Sequence, residues 1–400
     1  MIIDERLMRN SFAIKALVLV ISVAFALVVA EIIVRLTTIY PNTLSSNREY
    51  DENIGFRASS KIPEIDKEGF RNPPGTPKEI IAIGDSQTFG FNVRSASAWP
   101  PRLSQMIGKK IYNFGSGGYG LLTYHALLHL YRKPETKAAL IALTPANDFE
   151  LFYASDADCL ILDHPSAFWR NEKSRLGLEW PAYPVGCLHD DSDAQSGSYQ
   201  RLKQKIAILA LTHDAIVSFR TWLENELHSP GQDIGQNKEL FSFPDDIDPV
   251  TVKRIDTHIR SVDPQVPEVA AMMKNFPLLM KSWKSLSSEG LKVGVMVISS
   301  RERVIYDYFD RQNRLSELDA RFVTGVRKQI ELERYVRKAL EESGLSFVFN
   351  LEEMHLALAY GKKNNVPLYP RSDDGHPLDL GYAAYASAAR RLVNKMNLQP

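Results

Sequence analysis

Four short segments of this 400-residue chain carry residue types suited to acyl transfer. The first is G-D-S-Q-T-F-G, Gly84 to Gly90, directly after the apolar run E-I-I-A-I. A serine on the tight turn after a buried strand is held out at the sheet edge. There its hydroxyl can meet a base, and nearby backbone N–H groups can meet an oxyanion. Alone, Ser86 reads equally well as a helix cap. The second segment is Y-N-F-G-S-G-G-Y-G, Tyr112 to Gly120, whose glycines let a backbone N–H approach a ligand closely. The third is T-P-A-N-D, Thr144 to Asp148, where Asn147 can donate its amide to a developing oxyanion or simply close an Asx-turn. The fourth is R-S-D-D-G-H-P-L-D-L-G-Y, Arg371 to Tyr382. Asp373 and Asp374 precede His376 closely enough for either to orient its imidazole. Each segment has a bland reading by itself. Together they supply a nucleophile, a backbone donor, an amide donor, and a base with its acid. A fifth segment, S-S-R-E-R-V, adds Arg301 and Arg303 as candidates to hold an anionic or sugar substrate. The competing reading, a solvated charged loop, is the commoner fate of such residues.

The elements that must position these residues follow a regular alternation. Apolar runs predict strands at Glu79 to Gly84, Lys110 to Phe114, Ala138 to Leu143, Leu291 to Ile298 and Leu345 to Phe349. Helical periodicity appears at Ala98 to Ile107, Leu121 to Tyr131, Val269 to Leu286, Phe322 to Glu342 and Tyr382 to Met396. Strands alternating with helices argue for a parallel sheet covered on both faces. In such a sheet the segments following the strands share one edge, and ligands bind at that edge. The alternation breaks between about residues 149 and 263, read as an insertion that carries a long helix, Tyr199 to Leu227, and both cysteines. A bridge between Cys159 and Cys187 would clip that segment where it walls the cleft beside Asn147.

The four blocks resemble those of the SGNH/GDSL hydrolase family, in order, over about residues 79 to 396. The resemblance implies a three-layer α/β/α flavodoxin-like fold with a five-stranded parallel sheet. It implies Ser86 as nucleophile and His376 as base, with the acid at Asp373 or Asp374. The oxyanion hole would comprise the amides of Ser86 and Gly118 and the side chain of Asn147. Two departures stand out: Pro145 occupies a place where the family usually has glycine, and the acid is usually three residues before the histidine, which is Asp373. In membrane-linked acetyl-transferring relatives it often lies two before, which is Asp374. The family needs no cofactor and no metal.

The N-terminus differs from the rest. Phe12 to Val34 is apolar apart from Lys15 and Glu31, and Arg6 and Arg9 precede it. Its length suits a spanning helix with a cytoplasmic N-terminus. A cleaved signal peptide ending near Ala30 competes, but the apolar pattern continues through Ile32, Ile33 and Val34. The expected order is therefore residues 1–11 cytoplasmic, 12–35 in the lipid bilayer, 36–75 a juxtamembrane connector, and 76–400 an extracytoplasmic hydrolase domain. Formal net charge is zero and no basic block stands out, which argues against nucleic acid as a partner. The two cysteines form no C-x-x-C pair, which argues against zinc. Topology and resemblance together point to an acyl-ester substrate, in particular an acetylated cell-envelope carbohydrate. A lipase or thioesterase, and a catalytically silent envelope assembly protein, are the alternatives. The sequence names no protein partner.

Overall fold

The computed structural model describes residues 48–60, 62, 64–149, 157–180, 262–263, 265–370 and 374–398, with a few helical positions between 18 and 29. The chain divides into two compact units, residues 1–46 with 191–235, and residues 47–190 with 236–400. The described part of the second unit holds an α/β fold. In chain order its elements are β1 (Arg48–Asp51), β2 (Gly55–Ala58), β3 (Ile80–Ile83), α1 (Ser86–Phe89), α2 (Trp99–Ile107), β4 (Tyr112–Asn113), α3 (Leu121–Ala126), β5 (Ala138–Leu143), α4 (Pro145–Asp148), α5 (Ala157–Asp163), α6 (Ala167–Leu176), α7 (Pro267–Ser285), β6 (Lys292–Val297), α8 (Arg301–Asp310), α9 (Ala320–Ser343), β7 (Ser346–Phe349), α10 (Leu351–Asn364) and α11 (Asp379–Lys395).

β1 and β2 form an antiparallel hairpin, and the other five strands form one sheet in the order β4-β3-β5-β6-β7, all parallel. Counted within the sheet, that order is 2-1-3-4-5, the flavodoxin-like arrangement. The strands are continuous apolar runs because both faces are covered. Alternate residues face opposite ways. Ile81, Ile83, Ile141 and Val295 join Leu122, Phe276 and Val336 of α3, α7 and α9 on one face. Ile80, Ala82, Leu140 and Met296 join Leu103, Met354 and Tyr385 of α2, α10 and α11 on the other. The result is three layers with the sheet in the middle.

Several expectations need correction. The second strand is only Tyr112–Asn113. Beside it, the Asn72 side chain behaves as a missing neighbour strand: its Oδ1 accepts from Asn113 N at 2.7 Å and its Nδ2 donates to the Asn113 carbonyl at 3.0 Å. From Arg48 onward the expected connector thus belongs to the same compact unit as the sheet. The segment after β6 is a helix rather than a loop, capped by Ser300 Oγ, which accepts from Arg303 N. A further helix, α10, stands between the last strand and the histidine loop. Its first turn carries Glu352 and Glu353 and its last turn Lys362 and Lys363, which complement the helix dipole. The helix expected at Tyr199 to Leu227 lies outside the described residues, as does most of the insertion. Within it, α5 and α6 are described, and Cys159 on α5 is disulfide-bonded. The chain's other cysteine, Cys187, lies outside the described residues. Among the described residues no helix is long and apolar enough to cross a membrane. Residues 12–35, expected to do so, are mostly outside them.

Candidate active site

β3 ends at Ile83 and the chain turns sharply through Gly84 and Asp85 into α1. Gly84 is required there by contact: a Cβ would stand 2.1 Å from Thr88 Oγ1 and 3.1 Å from the Ala142 carbonyl. Asp85 caps α1, its Oδ1 accepting from Gln87 N at 2.9 Å. Ser86 is the first residue of the helix, so its N–H has no acceptor within it. The turn places Ser86 half-buried at the carboxyl edge of the sheet. β5, on the other side of the topological switch point, delivers Asn147 to the same edge.

Asn147 sits in the short helix α4, whose first residue is Pro145. Proline suits that position because its missing N–H is not needed and its φ is already helical. Pro145 therefore leaves the turn intact. Thr144 O accepts from Asn147 N at 2.8 Å, and Asp148 Oδ2 accepts from Thr144 N at 2.6 Å. The Asn147 amide donates one hydrogen to Asp85 Oδ2 at 2.8 Å, which fixes its orientation and leaves the second hydrogen to donate. Burial pushes the Asp85 carboxyl upward, against the Gln87 N–H, the His376 imidazole and the Asn147 amide.

Gly118 follows β4. Its φ of 84° lies in the left-handed region, which favours glycine. Its carbonyl accepts from Ala157 N at 2.8 Å, and among the described residues its N–H meets no acceptor.

His376 comes from the loop before α11. Its Nε2 lies 2.6 Å from Ser86 Oγ and its Nδ1 lies 2.5 Å from Asp374 Oδ1. A ring nitrogen facing a carboxylate carries the hydrogen, so Nε2 is left to accept from the Ser86 hydroxyl. The acid in contact is Asp374, two residues before the histidine; Asp373 lies outside the described residues. Burial would raise the Asp374 pKa, but the bonds from the His376 ring and backbone N–H and from Asn92 draw it down to about 2. The Phe91 ring covers the imidazole, with centroids 5.0 Å apart.

Three residues at this site are invisible to motif reading. Asn92 donates from Nδ2 to Asp374 Oδ2 at 2.8 Å and to the His376 carbonyl at 3.2 Å. It does so from a left-handed backbone, φ 66°, which asparagine tolerates. Its loop is held by Arg71, 3% exposed, whose guanidinium donates to the carbonyls of Gly90 at 2.8 Å and Val93 at 3.1 Å and pairs with Glu64 at 2.7 Å. Arg48 completes the set, on the Gly117 carbonyl at 3.1 Å. Ligand contact was expected of Arg301 and Arg303, and both are instead turned into the protein. Arg301, 2% exposed, donates to the Asp374 carbonyl at 3.0 Å and pairs with Glu302. Arg303 pairs with Glu333 at 3.2 Å. Arg301 therefore braces the histidine loop. A cavity of about 880 Å³, lined by Arg71, Pro73, Arg94 and Asn113 among others, opens beside β4, and neither Ser86, Asn147 nor His376 lines it.

No family model matches this chain, and no curated protein matches it. Among solved structures, LAE5, an alpha/beta hydrolase enzyme from the metagenome of Lake Arreo, Spain, is similar over 80% of this chain and 97% of that one, at 11% identity and a TM-score of 0.35. That score is too low for the likeness to bear on chemistry. The hydrogen-bonded line Ser86–His376–Asp374 must be judged on its own geometry.

Proposed function

We propose that this protein is a serine hydrolase of the SGNH type that cleaves or transfers an acyl group. The observation that carries the reading is the unbroken line from the Ser86 hydroxyl through His376 to Asp374 at the switch point of a parallel sheet. In the proposed cycle Ser86 Oγ bonds to the ester carbonyl carbon while its proton passes to His376 Nε2. The carbonyl π pair moves onto oxygen, where the amides of Ser86 and Gly118 and the side chain of Asn147 receive it. The pair returns, the bond to the leaving alcohol breaks, and Nε2 hands its proton to that oxygen. Water, or the hydroxyl of an acceptor, then adds to acyl-Ser86 by the same steps and releases an acid or a new ester. Asp374 stays ionised throughout and holds the imidazole.

The proposal extends to setting and substrate. Residues 12–35 anchor the chain in a bilayer, with the catalytic body outside the cytoplasm, acting on an acetylated envelope carbohydrate. Support comes from exposed apolar side chains at the helical positions Val18, Leu19, Ile21, Val23, Phe25 and Val29, and from the bonded state of Cys159, which suits an oxidising compartment. The test is labelling of the intact protein by a fluorophosphonate, followed by turnover of acetylated glycans, aryl acetate and long-chain esters. Absence of label on Ser86 rejects the enzyme class. Preference for long acyl chains rejects the acetyl substrate and favours a lipase. Recovery of a soluble protein beginning near Glu31 rejects the anchor.

A further inference from the structure

We infer that Arg48, which lies outside all four motifs, is a positioning residue for the oxyanion hole: it holds and polarises the Gly117–Gly118 peptide. The inference rests on the serine-hydrolase reading. The Gly117 carbonyl and the Gly118 N–H are the two ends of one peptide unit. In a trans peptide they lie on opposite edges of one plane, and no cis bond occurs among the described residues. Arg48 Nη2 donates to the carbonyl edge at 3.1 Å, so the amide edge is kept turned away from it. The unit borders the nucleophile, since a Cβ on Gly117 would lie 3.8 Å from Ser86 Cβ.

Two successive glycines give this peptide little intrinsic restraint, so its orientation has to be imposed from outside. The β1–β2 hairpin supplies the restraint. Tyr119, next to Gly118, donates its hydroxyl to the Phe56 carbonyl at 2.7 Å, and the two rings pack with centroids 5.4 Å apart. The Arg48 guanidinium lies over the same Phe56 ring at 3.9 Å. The hairpin and the glycine loop are thus joined, with the exposed Arg48 guanidinium at the joint. A guanidinium stays charged at every working pH. On the carbonyl oxygen it draws density along the conjugated O–C–N unit and strengthens the N–H as a donor. The gain grows as negative charge develops on the substrate oxygen, so it falls on kcat rather than KM.

The test uses the full-length protein in detergent and a neutral aryl acetate. Arg48→Met should lower kcat roughly tenfold, less than outright deletion of an oxyanion donor, with KM unchanged and fluorophosphonate labelling slowed in proportion. Arg48→Lys should recover part of the loss. A wild-type kcat in Arg48→Met, with labelling intact, overturns the inference and leaves the enzyme class standing. A KM effect confined to anionic esters also overturns it, making Arg48 a substrate anchor. If Arg48→Met lowers the Tm, Arg48→Lys decides: a reduced kcat at unchanged KM supports the role, and a wild-type kcat refutes it. Turnover that survives Ser86→Ala is a separate outcome, which removes the serine-hydrolase reading itself.

Discussion

Among the histidine–carboxylate pairs of this unit, His376–Asp374 and His125–Glu172 stand in contrasting surroundings. His376 has Asp374 on Nδ1 and the Ser86 hydroxyl on Nε2, with its side chain 24% exposed. His125 has Glu172 on Nε2 at 2.7 Å and receives the Trp283 indole N–H on Nδ1 at 3.2 Å, with its side chain fully buried. In both, a carboxylate fixes the tautomer. Burial opposes the charge on Glu172 as on Asp374, yet bonds from His125 and Arg175 draw Glu172 down to about 2. The neighbour of the second nitrogen makes the difference. A hydroxyl there can surrender a proton; an indole cannot, and no substrate reaches His125. A histidine–carboxylate pair is thus a structural joint unless its remaining lone pair faces something worth deprotonating.

The sharpest way to break this contrast is to remove each histidine. His376→Ala or Ser86→Ala should cut aryl-acetate turnover by ~10³-fold or more, since the triad acts as a unit, in a protein that still folds. His125→Ala should do the reverse: turnover persists, and urea denaturation reports a loss of about 3 kcal/mol from the unpaired buried partners. Loss of turnover in a folded His125→Ala protein would erase the distinction.

Next in size is the acid. Asp374→Asn should lower kcat by ~10²-fold to 10⁴-fold, and Asp373→Asn far less; equal effects would contradict the observed contact. The depressed Asp374 pKa contributes stability that is present above the ordinary carboxylate range and lost as pH falls toward about 2. Asp374 therefore stays ionised over the working range.

The buried cluster should reveal itself in stability instead. His129 stacks on His125, with centroids 4.3 Å apart, and burial and the neighbouring ring lower its pKa to about 3. A histidine whose folded pKa is lowered favours folding most when neutral. Its contribution is full above the unfolded value of about 6.5 and declines as pH falls toward 3. Urea midpoints measured at pH 7.5 and pH 5 should differ less in His129→Gln than in wild type; equal differences would refute the assignment. The smallest effect belongs to Asn92→Ala, which takes one bond from Asp374 and leaves those from His376 in place. It should lower kcat about threefold to tenfold, the net worth of one ordinary hydrogen bond, at unchanged KM.

The sheet and the reactive pair were legible because each rests on local signals. I-I-A-I and A-A-L-I-A-L, short and bounded by turn residues, read as strands buried on both faces, G-D-S joins the first of them to a helix, and D-G-H precedes the closing helix. The choice between Asp373 and Asp374 was not legible, because adjacent carboxylates differ only in which way the loop turns them. Asn92 was out of reach for another reason: it meets Asp374 across 282 residues of sequence, and nothing near it marks the contact. The ion pairs of Arg301 and Arg303 were not legible because charge in a sequence does not disclose its partner. Their carboxylates, Glu302 and Glu333, decide it. β4 was overestimated because the buried Ile111 and Phe114 flank it, whereas only Tyr112 and Asn113 pair with β3 and the outer side of Asn113 is taken by the Asn72 side chain.

That side chain also decides where the protein can be cut. A recombinant fragment started at Pro77 would retain every motif and still lack the amide that occupies the outer side of β4. The bare backbone there would invite pairing with a second copy. The same cut discards Arg71 and Arg48, leaving the loops of Asn92 and Gly117 without those bonds. Such a fragment should self-associate more than one that keeps Asn72 and so has the outer side of β4 covered.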